Sequence, residues 1–284
     1  RVHAFSGARI VQGPGRVIER GTLVVRDGVI EAVGAKVAIP PDARVWKADS
    51  LIIYPGLIDL ALTLPSPEGE KPGPQGGKEG AFTALRPSFR ATERWPLADE
   101  NLRARRAEGF TVARLLPGEG AFRGEAALVS LGGGGIEENL LDTHAGQVLA
   151  FAASGNENTY PSATMGAVAL IRQTIADARW QRQARAAYAA GTLAERPPTN
   201  PDLAALEPLA TGGAKAIFAT GDLTDLLRAV RFAQELGLAA DFLGSGDEYR
   251  RLEEVRRTVS ALVLPVAFPG APQVDSTGQA LNVT

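Results

Sequence analysis

The feature that most constrains the fold is an alternation of short apolar runs with helical patterns in the last third of the chain. Strand-like runs cover residues 215–219, 239–243 and 261–266, while helical patterns follow Asp222 and cover 247–258. Asp is a favoured N-cap residue, and the apolar positions after it recur every three or four residues. Strands that alternate with helices indicate βαβ units and a parallel sheet, so we expect an α/β fold.

The same alternation continues upstream. Helical patterns cover residues 98–108 and 163–190, and strand-like runs cover 111–116, 125–131 and 147–152. Apolar residues of the longer helix recur at spacings of three and four, which predicts one stripe facing the core. This predicted stripe consists of Met165, Val168, Ile171, Ile175 and Ala178.

Residues 1–54 carry strand signals instead. Residues 23–30 hold two β-branched runs around an Asp-Gly pair, which is the strongest local hairpin signal, and residues 51–54 form another short strand. Such short pieces fit a small β-sandwich part. A (β/α)8 barrel of the TIM type takes about 250 residues, so residues 55–284 are predicted to form an incomplete one. Within it, residues 65–80 are rich in Pro, Gly, Glu and Lys, and we expect a mobile loop there.

Composition excludes several classes of function. The 30 Lys and Arg residues against 32 Asp and Glu residues give a net charge of −2, without the basic excess that nucleic-acid binding uses. The absence of Cys excludes disulfides, thiolate metal sites and a Cys nucleophile. The longest apolar run, near residues 259–268, is about half of the ~20 residues of a membrane span. The sequence starts at Arg1 rather than Met, and we expect it to be part of a longer chain.

Two groups of residues resemble a known family. Residues 21–34, followed by Tyr-Pro-Gly-Leu-Ile-Asp at 54–59, resemble the opening of the amidohydrolase superfamily, and its imidazolonepropionase-like branch is the most similar. Residues 120–129 and 160–174 resemble a large exported group within that branch. The resemblance implies a β-sandwich built from both chain ends beside a metal-bearing (β/α)8 barrel. It also implies export, for example to the periplasm, of a longer protein.

The sequence departs from that family at the metal ligands. In the family, Pro-Gly-Leu-Ile-Asp is followed by any residue and then His-x-His, but those positions here are Ala61 and Thr63. A further family His aligns with Ala219, and the whole chain contains two His, His3 and His144. A catalytic metal lowers the pKa of its bound water to about 7, but it needs three or four good donors. We therefore predict that the family metal centre is lost and that no cofactor is bound.

Five residues remain as candidates for a site. Asp59 shares a strand face with Ala61 and Thr63, so it is either a general base or an acceptor for the turn at residues 55–56. Asp222 is either a second catalytic carboxylate or a helix cap. Arg123 and Arg172 could each clamp a substrate carboxylate or form a salt bridge at the barrel mouth. His144 is the last candidate. It is either a stray ligand or general base, or a hydrogen-bonded loop residue.

Three functions follow from these residues. The first is a degenerate amidohydrolase-like module, a non-catalytic scaffold or partner part of a larger hydrolase, which packs against the remainder of its own chain or a homologous hydrolase module. The second is an active hydrolase of non-peptide carbon–nitrogen bonds whose site is completed outside this segment. The third is a module that binds a small ligand. We expect neither a nucleic-acid partner nor a membrane span, and the chain could form a homo-oligomer.

Overall fold

The computed structural model describes residues 1–64, 85–94, 99–153 and 160–265. The predicted mobile loop at 65–80 lies outside these ranges. Within the described part of the chain, no helix combines the length and the apolar character that crossing a bilayer requires.

Contacts between Cα atoms divide the chain into two compact units. The first combines Arg1–Ile58 with the short segment Ala107–Thr111, and the second combines Asp59–Arg106 with Val112–Thr284. The amide of Leu57 donates a hydrogen bond of 2.9 Å to the carbonyl of Gly109, inside the first unit. The chain therefore enters the first unit twice.

The first unit contains a five-stranded sheet in the order β3-β2-β1-β4, and β5 also pairs with β1. Its strands are β1 (Val2–Gly13), β2 (Arg16–Arg26), β3 (Val29–Gly34), β4 (Arg44–Lys47) and β5 (Ile52–Ile53). The predicted hairpin is confirmed, because β2 and β3 are antiparallel and Asp27 and Gly28 both have positive φ, 48° and 86°. The β-sandwich stays a prediction.

The rest of the chain contains both strands and helices, and its strands form two further sheets. The first sheet has the order β10-β9-β7-β6 and the second the order β14-β13-β12-β11-β8. Strands β11 to β14 are parallel to one another, so the predicted parallel sheet is confirmed there, whereas β8 pairs with β11 in the antiparallel direction. The strands are β6 (Leu57–Thr63), β7 (Phe110–Leu116), β8 (Phe122–Glu125), β9 (Ala127–Ser130), β10 (Leu140–Asp142), β11 (Gln147–Leu149), β12 (Ala216–Ala219), β13 (Ala240–Leu243) and β14 (Leu262–Val263).

The described part of the chain also contains seven helices. They are α1 (Asp99–Ala107), α2 (Ile136–Asn139), α3 (Thr164–Ala189), α4 (Pro201–Ala205), α5 (Glu207–Ala210), α6 (Leu223–Leu236) and α7 (Leu252–Thr258), with 3-10 turns at Ala91–Arg94 and Glu248–Arg251. The main apolar core joins Phe122, Phe218 and Phe242 of the sheet to Ile171 of α3 and Phe232 of α6.

Two expectations about burial are wrong. Met165 is 83% exposed, because it lies in the first turn of α3 and the buried residues of this helix begin only at Ala167. The apolar run at residues 57–64 predicts a buried strand, yet Ile58 and Leu60 are 55% and 43% exposed. Full burial of a strand requires cover on both faces. In the described ranges the Ile58 and Leu60 part of this face stays exposed, whereas Leu64 at its far end is buried.

Candidate functional site

The positions that align with the family's metal ligands carry side chains without donor nitrogens. Ala61 packs against a small apolar cluster, whose buried members are Leu116, Ala126, Val148 and Ile217. Thr63 is exposed and Ala219 is partly buried. Within the described ranges, no three His, Asp or Glu side chains are placed to share a metal ion. At these three positions the described residues offer no imidazole, whereas a metal centre of the kind that the resemblance implies needs three or four converging donors.

A charged cluster links the two sheets of the second unit. Arg114 on β7 donates from Nη1 to Asp241 Oδ2 on β13 at 2.8 Å, and from Nε to the carbonyl of Leu60 on β6 at 2.9 Å. Lys215 Nζ lies 3.4 Å from Asp241 Oδ1. The guanidinium is deeply buried, and its Nη2 atom finds no hydrogen-bond partner among the described residues. The buried guanidinium of Arg114 therefore connects β6 and β7 of one sheet with β13 of the other.

The charged residues lie on the same side of their strands as the apolar cluster. Side chains two positions apart in a strand point to one face of the sheet. Each charged residue stands two positions before a cluster residue: Arg114 before Leu116, Lys215 before Ile217, and Asp241 before Leu243. Charged side chains thus lie on the same face as the apolar cluster, with Arg114 and Asp241 more deeply buried than Lys215.

The charges around Asp241 decide its ionisation. Burial raises the pKa of this carboxyl, but the hydrogen bond from Arg114 and the positive charges of Lys215 and Arg114 outweigh burial. The pKa of Asp241 is therefore held below its ordinary value, and the carboxylate stays charged at neutral pH.

Asp59 lies at the start of the same face of β6. Its Oδ1 accepts a hydrogen bond from the amide of Ala61 at 3.0 Å, and its Oδ2 lies 3.5 Å from Arg105 Nη1. Its side chain is only 15% exposed. The expected bond from the turn at residues 55–56 is replaced by one from Ala61, two residues further along. These contacts hold the carboxylate in place, and its catalytic role stays a prediction.

Asp222 caps α6. Its side chain accepts a hydrogen bond of 2.8 Å from the amide of Asp225, and Gly237 ends the helix in the left-handed conformation with φ 66°. Both ends of this helix are thus set by the local sequence. The alternative catalytic role of Asp222 stays a prediction.

Arg172 and Arg123 lie in different surroundings. Arg172 on α3 donates to Glu235 Oε2 on α6 at 2.8 Å and stacks over Phe232, with its Cζ atom 5.4 Å from the ring centre. It borders a groove of about 470 Å³ between these helices, which Arg228, Arg231 and Arg251 also line. The groove arginines are paired with acidic side chains. Arg172 therefore forms a salt bridge, and its place at a barrel mouth stays a prediction.

Arg123 on β8 differs in having no carboxylate within 4.0 Å among the described residues. The hydrogen bond that the structure gives it runs from Nε to the carbonyl of Gly120, at 3.4 Å. The side chain is partly buried, and burial lowers the pKa of its guanidinium. Of the two predicted carboxylate clamps, Arg123 is thus the one with unused hydrogen-bonding capacity.

His144 is a hydrogen-bonded loop residue, as one interpretation predicted. Its Nδ1 lies 2.6 Å from Glu125 Oε1, and its amide donates to Asp142 Oδ1 at 2.8 Å. The imidazole side chain is 68% exposed. The other His, His3, accepts a hydrogen bond of 3.2 Å from the indole of Trp46 in the first unit.

Comparison with known proteins first defines the class of fold. An amidohydrolase from Thermotoga maritima matches with a TM-score of 0.75 at 20% identity, over 94% of this chain and 71% of that one. This match shows that the chain has the fold of an amidohydrolase. No protein-family model matches the sequence.

Sequence matches then name particular relatives. A dihydroorotase from Anaeromyxobacter dehalogenans is 34% identical over 86 residues, which cover 28% of this chain and 20% of the relative. A dihydroorotase from Desulforapulum autotrophicum is 34% identical over 90 residues, which cover 29% and 21%. The matched stretch thus spans about a fifth of each relative. Together these matches confirm the predicted relationship to the amidohydrolase superfamily.

The interpretation of the sequence missed the Arg114–Asp241–Lys215 cluster. A signal was present, because Arg114 and Asp241 are charged residues inside short strands that are otherwise mostly apolar. A charge in such a strand is rarely buried without a partner. The partner itself lies 127 positions away in the chain, so the sequence alone does not identify it.

Proposed function

We propose that this chain is an amidohydrolase-like module that has lost the family metal centre and serves as a non-catalytic scaffold or partner part of a larger hydrolase. The imidazolonepropionase-like branch, an incomplete (β/α)8 barrel and a β-sandwich part belong to this proposal. Its fold similarity to 71% of a longer amidohydrolase supports an incomplete barrel. The proposal treats the barrel as a frame for packing and not for chemistry.

One observation carries the proposal: Ala61, at the first ligand position, packs with buried apolar side chains. Apolar side chains offer a metal no lone pairs, and a divalent ion at such a place would have to lose its hydration shell without replacement. Thr63 adds at most a hydroxyl, and Ala219 adds a methyl group. The side chains at these positions are thus suited to packing and not to binding a metal.

The charged cluster supports the same conclusion. Asp241 and Arg114 lie on strands of opposite sheets, and their ion pair occupies part of the interior face. A carboxylate that is already bound by Arg114 and faced by Lys215 is a poor metal ligand, because both cations compete for its lone pairs. We infer that these side chains hold the sheets together in place of the metal.

Metal analysis of the purified chain tests this proposal. The chain is incubated with excess zinc, desalted and measured by inductively coupled plasma mass spectrometry. We expect far less than one zinc per chain, because the donor set is missing. A variant carrying Ala61→His and Thr63→His serves as the comparison, and it should retain more zinc than the unchanged chain. One tightly held zinc per unchanged chain would refute the proposed loss of the metal centre.

A further inference from the structure

Two arginines converge on the short connection between β7 and β8. Arg86 Nη1 lies 4.0 Å from Glu119 Oε2, and Arg123 Nε donates to the carbonyl of Gly120 at 3.4 Å. Glu119 and Gly120 are neighbours in the chain, with their Cα atoms about 3.8 Å apart. Both guanidinium groups therefore contact neighbouring residues of one short connection, Arg86 through a side chain and Arg123 through a backbone carbonyl.

The backbones of the two arginines are also adjacent. The amide of Arg86 donates to the carbonyl of Phe122 at 2.9 Å, and the amide of Glu125 donates to the carbonyl of Phe89 at 2.7 Å. The segment at residues 85–90 thus runs alongside β8, with Arg86 next to Arg123. The backbone pairing of the two segments therefore places the two arginines next to each other.

The charges in this cluster do not cancel. Glu119 is the carboxylate that faces Arg86, at the outer limit of an ion pair, and its side chain is 43% exposed. Arg123 has no acidic partner in the described ranges, although its side chain is partly buried. A partly buried cation without a counter-ion costs stability, and proteins usually tolerate that cost at functional sites.

Arg86 is held ready for a ligand. Its guanidinium stacks over the ring of Phe89, with the Cζ atom 4.7 Å from the ring centre. The side chain of Gln147 donates to the carbonyl of Pro87 at 2.8 Å, and Ser88 donates from Oγ to Asp202. These contacts fix the segment that carries Arg86, so that less conformational entropy is lost when a ligand binds.

We propose that Arg86 and Arg123 form a binding site for the oxyanion of a small ligand, either a carboxylate or a phosphate. A guanidinium presents parallel N–H donors that match two oxygens of such a group, and two guanidiniums can hold it from two sides. The proposal goes beyond the scaffold function and is independent of it, because the site uses none of the positions of the lost metal centre.

Thermal unfolding of the whole chain tests the site, with inorganic phosphate and succinate as probes and chloride as the control at equal ionic strength. Either probe should raise the melting temperature by about 2–4 °C at ten times its Kd. Phosphate acting alone identifies phosphoryl ligands, and succinate acting alone identifies carboxylates. No shift with either probe at tens of millimolar would overturn the proposal.

Substitutions locate the effect. Arg123→Gln and Arg86→Gln should each weaken binding about tenfold or more, since each removes charge-assisted hydrogen bonds. Arg90→Gln is the matched control, because Arg90 lies on the same segment, is 62% exposed and pairs with Glu125 at 3.9 Å. It should leave the ligand-induced shift unchanged. Equal losses in all three variants would indicate a general charge effect and refute the site.

A second measurement separates binding from a structural role. Without ligand, Arg123→Gln should melt at the same or a higher temperature than the unchanged chain, because it removes an unpaired and partly buried charge. A lower melting temperature together with an unchanged ligand response would contradict the proposal. Should Arg123→Gln fail to fold, Arg123→Lys decides, since it keeps the charge but loses the planar fork and should bind several-fold more weakly.

Discussion

Replacing Arg114 by Met tests how much the charged interior contributes to stability. The change removes the 2.8 Å bond to Asp241 and the 2.9 Å bond to the carbonyl of Leu60. Loss of one partner of a buried ion pair costs about 3–5 kcal/mol, because the other charge stays buried. Here Asp241 is 20% exposed and keeps Lys215 at 3.4 Å, so we expect a smaller loss of about 2–3 kcal/mol in the free energy of unfolding.

The double variant is the sharper part of this prediction. Asp241→Leu alone leaves Arg114 buried without its carboxylate, and we expect it to cost about 3 kcal/mol. Removing both charges replaces the pair with apolar side chains, and it also removes the unsatisfied Nη2 donor of Arg114. Lys215 is then left alone, but its side chain is 63% exposed and stays hydrated. Arg114→Met with Asp241→Leu should therefore cost only about 0–1 kcal/mol.

Urea unfolding followed by far-ultraviolet circular dichroism measures all four proteins, with linear extrapolation to water. The expected coupling between the two positions is several kcal/mol, well above the ~0.5 kcal/mol that independent sites show. Additive losses within that limit would refute the inference that the pair acts as a unit. Additive losses would also mean that the Arg114–Asp241 pair no longer supports the proposed scaffold function.

Acid extends the same prediction. Burial raises the pKa of Asp241, but Arg114 and Lys215 lower it by more than burial raises it. The pKa in the folded protein therefore lies below the ordinary value of about 3.9. A carboxyl with a lowered folded pKa contributes stability that is complete above its unfolded pKa and is lost as the pH falls through the folded pKa. The unchanged chain should therefore lose this contribution below about pH 4, and the double variant should lack that part of the acid loss.

Two further predictions concern α6 and α3. Asp222→Ala should lower the free energy of unfolding in urea by about 1 kcal/mol because the cap of α6 is lost. Asp222→Asn should lower it little, since Asn also caps helices, and equal losses in the two variants would argue against capping. Ile171→Ala should cost about 2–5 kcal/mol because Ile171 is fully buried, whereas Met165→Ala should stay within about 0.5 kcal/mol, and similar losses at both would contradict the burial of α3.

Features with a local cause were predictable from the sequence. The Asp-Gly turn between β2 and β3 needs only two residues that accept positive φ, and both adopt it. The cap at Asp222 likewise depends on an amide three residues away. The alternation of strands and helices also follows from spacing within short windows, and the parallel strands from β11 to β14 agree with it.

Features that depend on distant residues were not predictable. Met165 fits the apolar spacing of α3, but burial also depends on where the sheet lies under the helix. The candidates Arg123 and Arg172 were equivalent in the sequence, and only the position of Glu235, 63 residues from Arg172, separates them. Arg86 was not a candidate, because its closeness to Arg123 arises from pairing of the segment at 85–90 with β8.

The return of the chain to the first unit at Ala107–Thr111 affects how this protein can be dissected. A recombinant piece that stops near residue 58 would omit the segment whose Gly109 carbonyl accepts the amide of Leu57. Excising the leading strands from the remainder would expose that segment in the same way. Neither half is a self-contained stretch of the gene, so domain swaps with related hydrolases should exchange the two segments together.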